Sequence, residues 1–259
     1  THQPFQRPPV QILANLAGQR LTDDLNPQCV GEPEGLARAG QRVLLVDMDT
    51  QGQVAKALGL RPQAGVAELV MNQLPPEQVM VEAREGIWLL AGGRTLAGLK
   101  RVIARQDFGG ERTLAEALAP LDDAYDVALV DTAPAWDTLT VNALFYATEV
   151  LVPVSLEVMA LQGLIEFARA LGPIQGYHPG LELKYVLPTF MDRRVKKSEE
   201  ILAQLKGHYA DVICEPIRYN VRLSEAPGYG QTIFEYAPRS PGAADYQKLT
   251  ERILRDGQS

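Results

Sequence analysis

Cysteine and histidine are scarce in this chain, with two of the first and three of the second in 259 residues. Cys29 and Cys214 form no C-x-x-C pair, and His2, His178 and His208 are scattered. A disulfide scaffold, a zinc site and an iron–sulfur site therefore find no ligand set. No apolar run reaches the roughly 18 to 20 residues that a spanning helix needs; the best stretch, Val150 to Ile165, is broken by Glu157. The two unpaired cysteines fit a reducing cytoplasm, and Thr1 to Pro9, with one arginine and no apolar stretch, argues against a secretory signal. No Gly-x-Gly-x-x-Gly follows the first apolar segment, which excludes a dinucleotide-binding Rossmann site. Lysine is also absent until Lys56.

What is present suits a packed α/β protein. A hydrophobic content of 46% against 22% charged residues can bury a full core. One domain over 1–259 is expected, with 1–34 as its divergent opening segment. Short β-branched or leucine-rich runs at Val10–Ala14, Arg42–Val46, Ile87–Leu90, Val127–Val130, Val150–Pro153, Lys184–Leu187 and Val212–Cys214 read as six or seven strands of one sheet. Between and after them, Thr113–Leu118, Leu161–Leu171, Ser198–Lys206 and Tyr246–Leu254 place apolar residues at i, i+3 and i+4. Strands alternating with helices predict a doubly wound, mainly parallel sheet covered on both faces.

Two of these strands end in acids. Arg42-Val-Leu-Leu-Val-Asp-Met-Asp-Thr-Gln-Gly places Asp47 and Asp49 two residues apart, which in an extended backbone points both the same way. Asp126-Val-Ala-Leu-Val-Asp-Thr-Ala-Pro ends on Asp131, in the form of a Walker B acid that holds Mg²⁺ through water. Ligands of open α/β sheets bind at the carboxyl ends of strands, so acids there can orient water or a metal. Each taken alone could equally be an acid that ends a strand and caps the next helix.

The text around the acids is more specific. Gly35-Leu-Ala-Arg-Ala-Gly-Gln-Arg-Val-Leu-Leu-Val-Asp-Met-Asp-Thr-Gln-Gly resembles the second motif of the ParA/Soj-type partitioning ATPases. Asp131-Thr-Ala-Pro-Ala-Trp-Asp-Thr-Leu-Thr-Val-Asn-Ala-Leu is similar to their Walker B region. Val150-Leu-Val-Pro-Val, Ala160-Leu-Gln-Gly, Asn220-Val-Arg-Leu-Ser-Glu-Ala-Pro and Tyr236-Ala-Pro-Arg-Ser-Pro-Gly-Ala follow in the family's order, so the resemblance covers about 35 to 255. It implies a P-loop NTPase-like fold, ATP and Mg²⁺ as cofactors, a homodimer, DNA bound without sequence preference, and a ParB-type partner that triggers hydrolysis. By this resemblance Asp49 would orient the attacking water with Asp47 nearby, and Asp131 would serve Mg²⁺. The segment beginning at Asn220 would lie near the adenine, with Arg218, Leu223 and Glu225 as further candidate contacts. The family's Pro-Arg-Asn reads Arg218-Tyr219-Asn220 here.

The net charge of −7 argues against an indiscriminate nucleic-acid coat. Arg193, Lys196, Lys197, Arg218, Arg222 and Arg239 nevertheless crowd the C-terminal third, where they are candidates for DNA phosphates; the resemblance implies association with the nucleoid. The related MinD-type proteins end in a basic membrane-binding helix. Tyr246-Gln-Lys-Leu-Thr-Glu-Arg-Ile-Leu-Arg carries both charge signs, so no membrane anchor is expected.

One motif of the family is missing. Its glycine-rich loop with two lysines grips phosphate through backbone N–H groups and an ammonium. Here only Gly18 remains as a nucleotide-binding candidate: between Gly18 and Gly31 there is no glycine and no lysine, while Asp23 and Asp24 place negative charge where phosphates would lie. Arg20 is a poor substitute without glycine neighbours. Pro27 and Pro33 oppose the helix that should follow. Two accounts stay open: a degenerate, nucleotide-free homologue, or a local misreading of the coding frame over residues 19 to about 29. The nucleotide sequence of the gene separates them. The frame account expects a shifted frame encoding Gly-Lys-Thr, and its absence leaves true divergence.

Overall fold

The computed structural model describes residues 10–14, 28–192 and 194–257. Seven strands form one sheet: β1 (Val10–Ala14), β2 (Val43–Asp47), β3 (Met80–Arg84), β4 (Ile87–Leu90), β5 (Val127–Thr132), β6 (Glu149–Ser155) and β7 (Glu182–Thr189). Their order is β3-β4-β2-β5-β1-β6-β7. All neighbours pair parallel except β3 with β4. The helices before β5 are α1 (Gln28–Arg38), α2 (Gln53–Ala57), α3 (Val66–Met71), α4 (Pro76–Val79), α5 (Leu96–Ile103) and α6 (Thr113–Leu118). Those after it are α7 (Thr138–Tyr146), α8 (Val158–Tyr177), α9 (Lys196–His208), α10 (Val221–Glu225), α11 (Ile233–Tyr236) and α12 (Pro241–Asp256).

The period of two along the strands builds two cores. Leu44, Val46, Ala128 and Val130 face one way, against Leu69 of α3, Leu99 of α5, Leu118 of α6, Leu144 of α7 and Leu164 of α8. Val43, Leu45, Val127 and Leu129 face the other, against Leu36 of α1, Leu223 of α10, Phe234 of α11 and Tyr246 of α12. Strands buried on both faces need continuous apolar runs, which is why β2, β5 and β6 were readable.

Three expectations are corrected. The run Val212–Cys214 does not become a full strand: it reaches β7 through the single bridge Val186↔Ile213, and a second bridge joins Met191 to Arg218. Pro216 lies between them and has no N–H to continue a ladder. Conversely, β3 was not read at all, because Met80-Val-Glu-Ala-Arg has no clean alternation. It forms because Glu85-Gly86 turns the chain, with Gly86 at φ 77°, and folds it back on β4. Pro33, third, does not end a helix but lies inside α1. The lost helix bond is offset by packing on α12, where Gly31 lies flat on the Tyr246 ring and Gly35 on Thr250. A Cβ at Gly31 would come within 2.8 Å of that ring.

That seam carries a strained group. Glu32 is 1% exposed and its two carboxylate oxygens have no hydrogen-bond partner among the described residues. Burial lifts its pKa from 4.5 to about 8. The folded chain therefore holds a proton that the unfolded chain releases. Its contribution is fully present below pH 4.5 and is lost as pH rises to about 8. Glu32→Gln is expected to flatten that decline and to stabilise the protein at pH 8 by roughly 2–4 kcal/mol. Urea midpoints of both proteins between pH 5 and about pH 8.5 check it; parallel curves would refute it.

Candidate functional site

The acid-ended strands lie side by side. β2 pairs with β5 so that Asp47 stands opposite Asp131, and β5 pairs on its other side with β1, where Ala14 stands opposite Thr132. The carboxyl ends of three central strands therefore converge on one spot. The Met48 N–H donates to the Asp131 carbonyl at 2.8 Å, which locks the chain leaving β2 onto β5.

Asp47 and Asp49 have different environments. Asp47 is fully buried. Its Oδ1 accepts the N–H of Asp49 at 2.9 Å and its Oδ2 that of Val54 at 3.4 Å, with the Gly92 backbone a further donor. Burial raises its pKa from 3.8 to about 7, the nearby Asp49 carboxylate adds to this, and those backbone donors oppose it. Asp47 is thus the anchor of the loop that follows. Asp49 lies beyond the strand end and is only half buried. Its Oδ1 accepts the Gln51 N–H at 3.0 Å, and its carbonyl accepts from Gly52 and Gly93 at 3.1 and 2.9 Å. Asp49 is thus the more exposed of the two acids. Asp131 is 6% exposed.

Asp137, in the same stretch as Asp131, caps α7 by accepting from Leu139 and Thr140, and pairs with Lys100 of α5 at 2.8 Å. Sequence reasoning left this bridge out; Asp before Thr-Leu-Thr is the N-cap signal that could have found half of it. A cleft of about 640 Å³ opens at the carboxyl ends of β6 and β7, lined by Ser155, Glu157, Phe190, Lys197 and Tyr219 among others. The Ser155 hydroxyl there is buried and without a partner among the described residues.

The C-terminal candidates separate into distinct roles. Asn220 caps α10 by accepting the Arg222 N–H at 3.0 Å, while its buried Nδ2 has no partner among the described residues. Leu223 is a core residue. Glu225 accepts from Arg222 at 2.8 Å and from the Tyr236 hydroxyl at 3.0 Å. Arg218 was expected at both the base and DNA, yet its fork is held by the buried Asp245 at 2.7–3.1 Å, which makes it an internal brace. Lys196, Lys197 and Arg239 are exposed. Lys196 pairs with Glu200 at 3.7 Å, while Arg222 is tied to Glu225. Gly18 and Arg193 lie outside the described residues, as does Pro27.

Comparison with known proteins places this arrangement. Residues 31–182 match the family model AAA_31, described as an AAA domain. The chain is 39% identical over 221 residues to the chromosome-partitioning ATPase Soj of Thermus thermophilus, covering 85% of this chain and 86% of that protein. The chain belongs to the ParA/Soj family. It is also 32% identical over 227 residues to the chromosome partitioning protein ParA of Myxococcus xanthus, covering 85% of this chain and 80% of that one. Among solved structures, cobyrinic acid a,c-diamide synthase of Mycobacterium smegmatis with bound ATP analog and magnesium superposes with a TM-score of 0.82 at 30% identity, covering 97% of this chain and 96% of that one. The ParA/Soj-type chain thus has the α/β fold of the P-loop NTPases. Among its described residues no helix is long and apolar enough to cross a membrane.

The acid loop yields a direct test. A Cβ at Gly92 would stand 2.5 Å from the Asp47 carbonyl oxygen and 2.7 Å from its Oδ1. Gly92→Ala is expected to destabilise the protein by about 1–3 kcal/mol through overpacking. A Tm equal to that of the parent would show that the loop yields freely.

Proposed function

We propose that this chain is a partitioning protein that associates with DNA and a ParB-type partner and works as a ParA-type dimer. The observation that carries this is the pairing of Asp47 with Asp131 at the ends of adjacent central strands, with the half-buried Asp49 two residues on, in a chain 39% identical to a partitioning ATPase. Relatives' names supply the cargo class, and the exposed lysines at the start of α9 support DNA contact. Lys196 and Lys197 stand where the helix dipole disfavours cations, a placement that suits phosphate binding better than helix stability.

The described residues fit part of a Mg²⁺–nucleotide site. Asp131 would hold Mg²⁺ through water, Asp49 would orient a water, and Asp47 would keep that loop in place through the N–H groups it collects. The partnerless Ser155 hydroxyl, in the cleft that Tyr219 also lines, would meet the base. Bound Mg²⁺–ATP supplies the charge and the phosphoryl chemistry on which a ParA-type switch turns. The phosphate grip is where the fit fails, since no lysine precedes Lys56, and the Lys56 ammonium is spent on the Gln51 carbonyl at 2.8 Å. That observation favours a second reading: a nucleotide-independent scaffold or regulator that keeps the partner and DNA surfaces.

Fluorescence anisotropy with a random-sequence DNA duplex at low salt, with and without Mg²⁺–ATP, tests both readings. Binding that appears only with ATP, alongside saturable micromolar binding of a fluorescent ATP analogue, is expected of the switch. ATP-indifferent DNA binding is expected of the scaffold. A folded protein that binds no DNA in either condition overturns the DNA assignment. The variant carrying Lys196→Glu and Lys197→Glu should weaken DNA binding about tenfold or more and flatten its salt dependence.

A further inference from the structure

Arg84 lies on β3, the antiparallel edge of the sheet, and has no place in the site described above. Its guanidinium bonds four acceptor groups and ties β3 to two other parts of the chain. Nε and Nη2 donate to the two carboxylate oxygens of Glu235 at 2.6 and 3.2 Å, and Nη2 also donates to the Gly230 carbonyl at 2.7 Å. Nη1 donates to the Ala83 carbonyl at 2.6 Å, and both Nη groups reach the Leu58 carbonyl at 3.4 and 3.5 Å. A planar fork bound to four acceptor groups fixes their relative positions as a flexible ammonium could not.

The pieces it joins belong to different ends of the molecule. Leu58 is the C-cap of α2, the short helix that starts at the acid loop and whose Val54 N–H is held by Asp47. Gly230 closes the turn Ala226–Tyr229, and Glu235 completes a capping box with Thr232 at the head of α11. Beside the guanidinium, Gly59 and Gly230 touch backbone to backbone. A Cβ on Gly59 would lie 3.2 Å from the Gly230 Cα, and one on Gly230 would lie 2.9 Å from the Gly59 Cα. Both have positive φ, 70° and 67°, so the contact is available to glycine alone. Around Gly230 the segment is a unit: Tyr229 stacks on Tyr236 at 5.2 Å, and the Tyr236 hydroxyl donates to Glu225. Tyr219, Val221 and Tyr229 present exposed side chains along it.

We propose that Arg84 is a positioning residue that couples the acid loop at Asp47–Asp49 to the segment Asn220–Tyr236. A displacement of α2 is carried through Leu58 and Gly59 to Gly230, and from there to the exposed surface of α10 and the turn after it. The proposal rests on the functional reading only in taking the acid loop as the place where change begins. The coupling itself is a property of these contacts.

Amide hydrogen exchange can test it without any nucleotide, so its failure is separate from failure of the ATP reading. Asp47→Asn and Gly92→Ala each disturb the acid loop from a different side. In the otherwise unchanged protein, either is expected to speed exchange over 226–236 by about fivefold or more, together with exchange over 53–60. In an Arg84→Gln background the same substitutions should speed exchange over 53–60 only. Arg84→Lys keeps the charge but loses the fork, so it should restore the urea midpoint without restoring the coupling. The proposal is overturned if folded loop variants leave 226–236 unchanged, or if Arg84→Gln leaves their effect there intact. Should Asp47→Asn fail to fold, Gly92→Ala decides alone.

Discussion

The buried carboxyl of Asp47 is the interaction on which the rest of the site depends. A carboxyl with no access to water must be satisfied by donors, and here they are the backbone N–H groups of the two segments that follow the strand. By collecting them it turns the chain at Asp49, starts α2 and leaves Gly92 no room for a side chain. Asp49 is held by its own N–H on the buried Asp47.

The same economy of shape recurs wherever two backbones meet. α1 lies against α12 because glycines face Tyr246 and Thr250, and α2 lies against the C-terminal turn because two glycines face each other. Close approach removes apolar surface from water and lets polar side chains bridge over the top, as Arg84 does. The cost is visible at Glu32, where tight packing encloses a carboxyl that nothing answers among the described residues.

Charge is divided between bracing and display. Arg218 with Asp245, and Arg84 with Glu235, are partly or wholly removed from water and hold segments together. Lys196, Lys197 and Arg239 stand in solvent, where pairing is weak and a polyanion can compete for them. The sequence lists all of them alike, since a side chain's type does not state whether its partner is a neighbouring helix or water.

Much was legible before any coordinates. The α/β class, the parallel strands and the acid-ended β2 and β5 follow from local pattern, because a strand buried on both faces must be apolar throughout and must stop at a polar residue. The family motifs lie in those same local stretches. Which of Asp47 and Asp49 is buried was not legible, because that depends on donors from Val54 and Gly92. Nor was the brace at Arg218, whose partner is 27 residues away, nor β3, which forms only because β4 is there to receive it. Sequence by itself determined the elements and the chemistry each could carry. Tertiary structure alone decided which acid was buried and which arginine was spent, because burial and pairing are settled by segments distant in the chain that meet only once the sheet has formed.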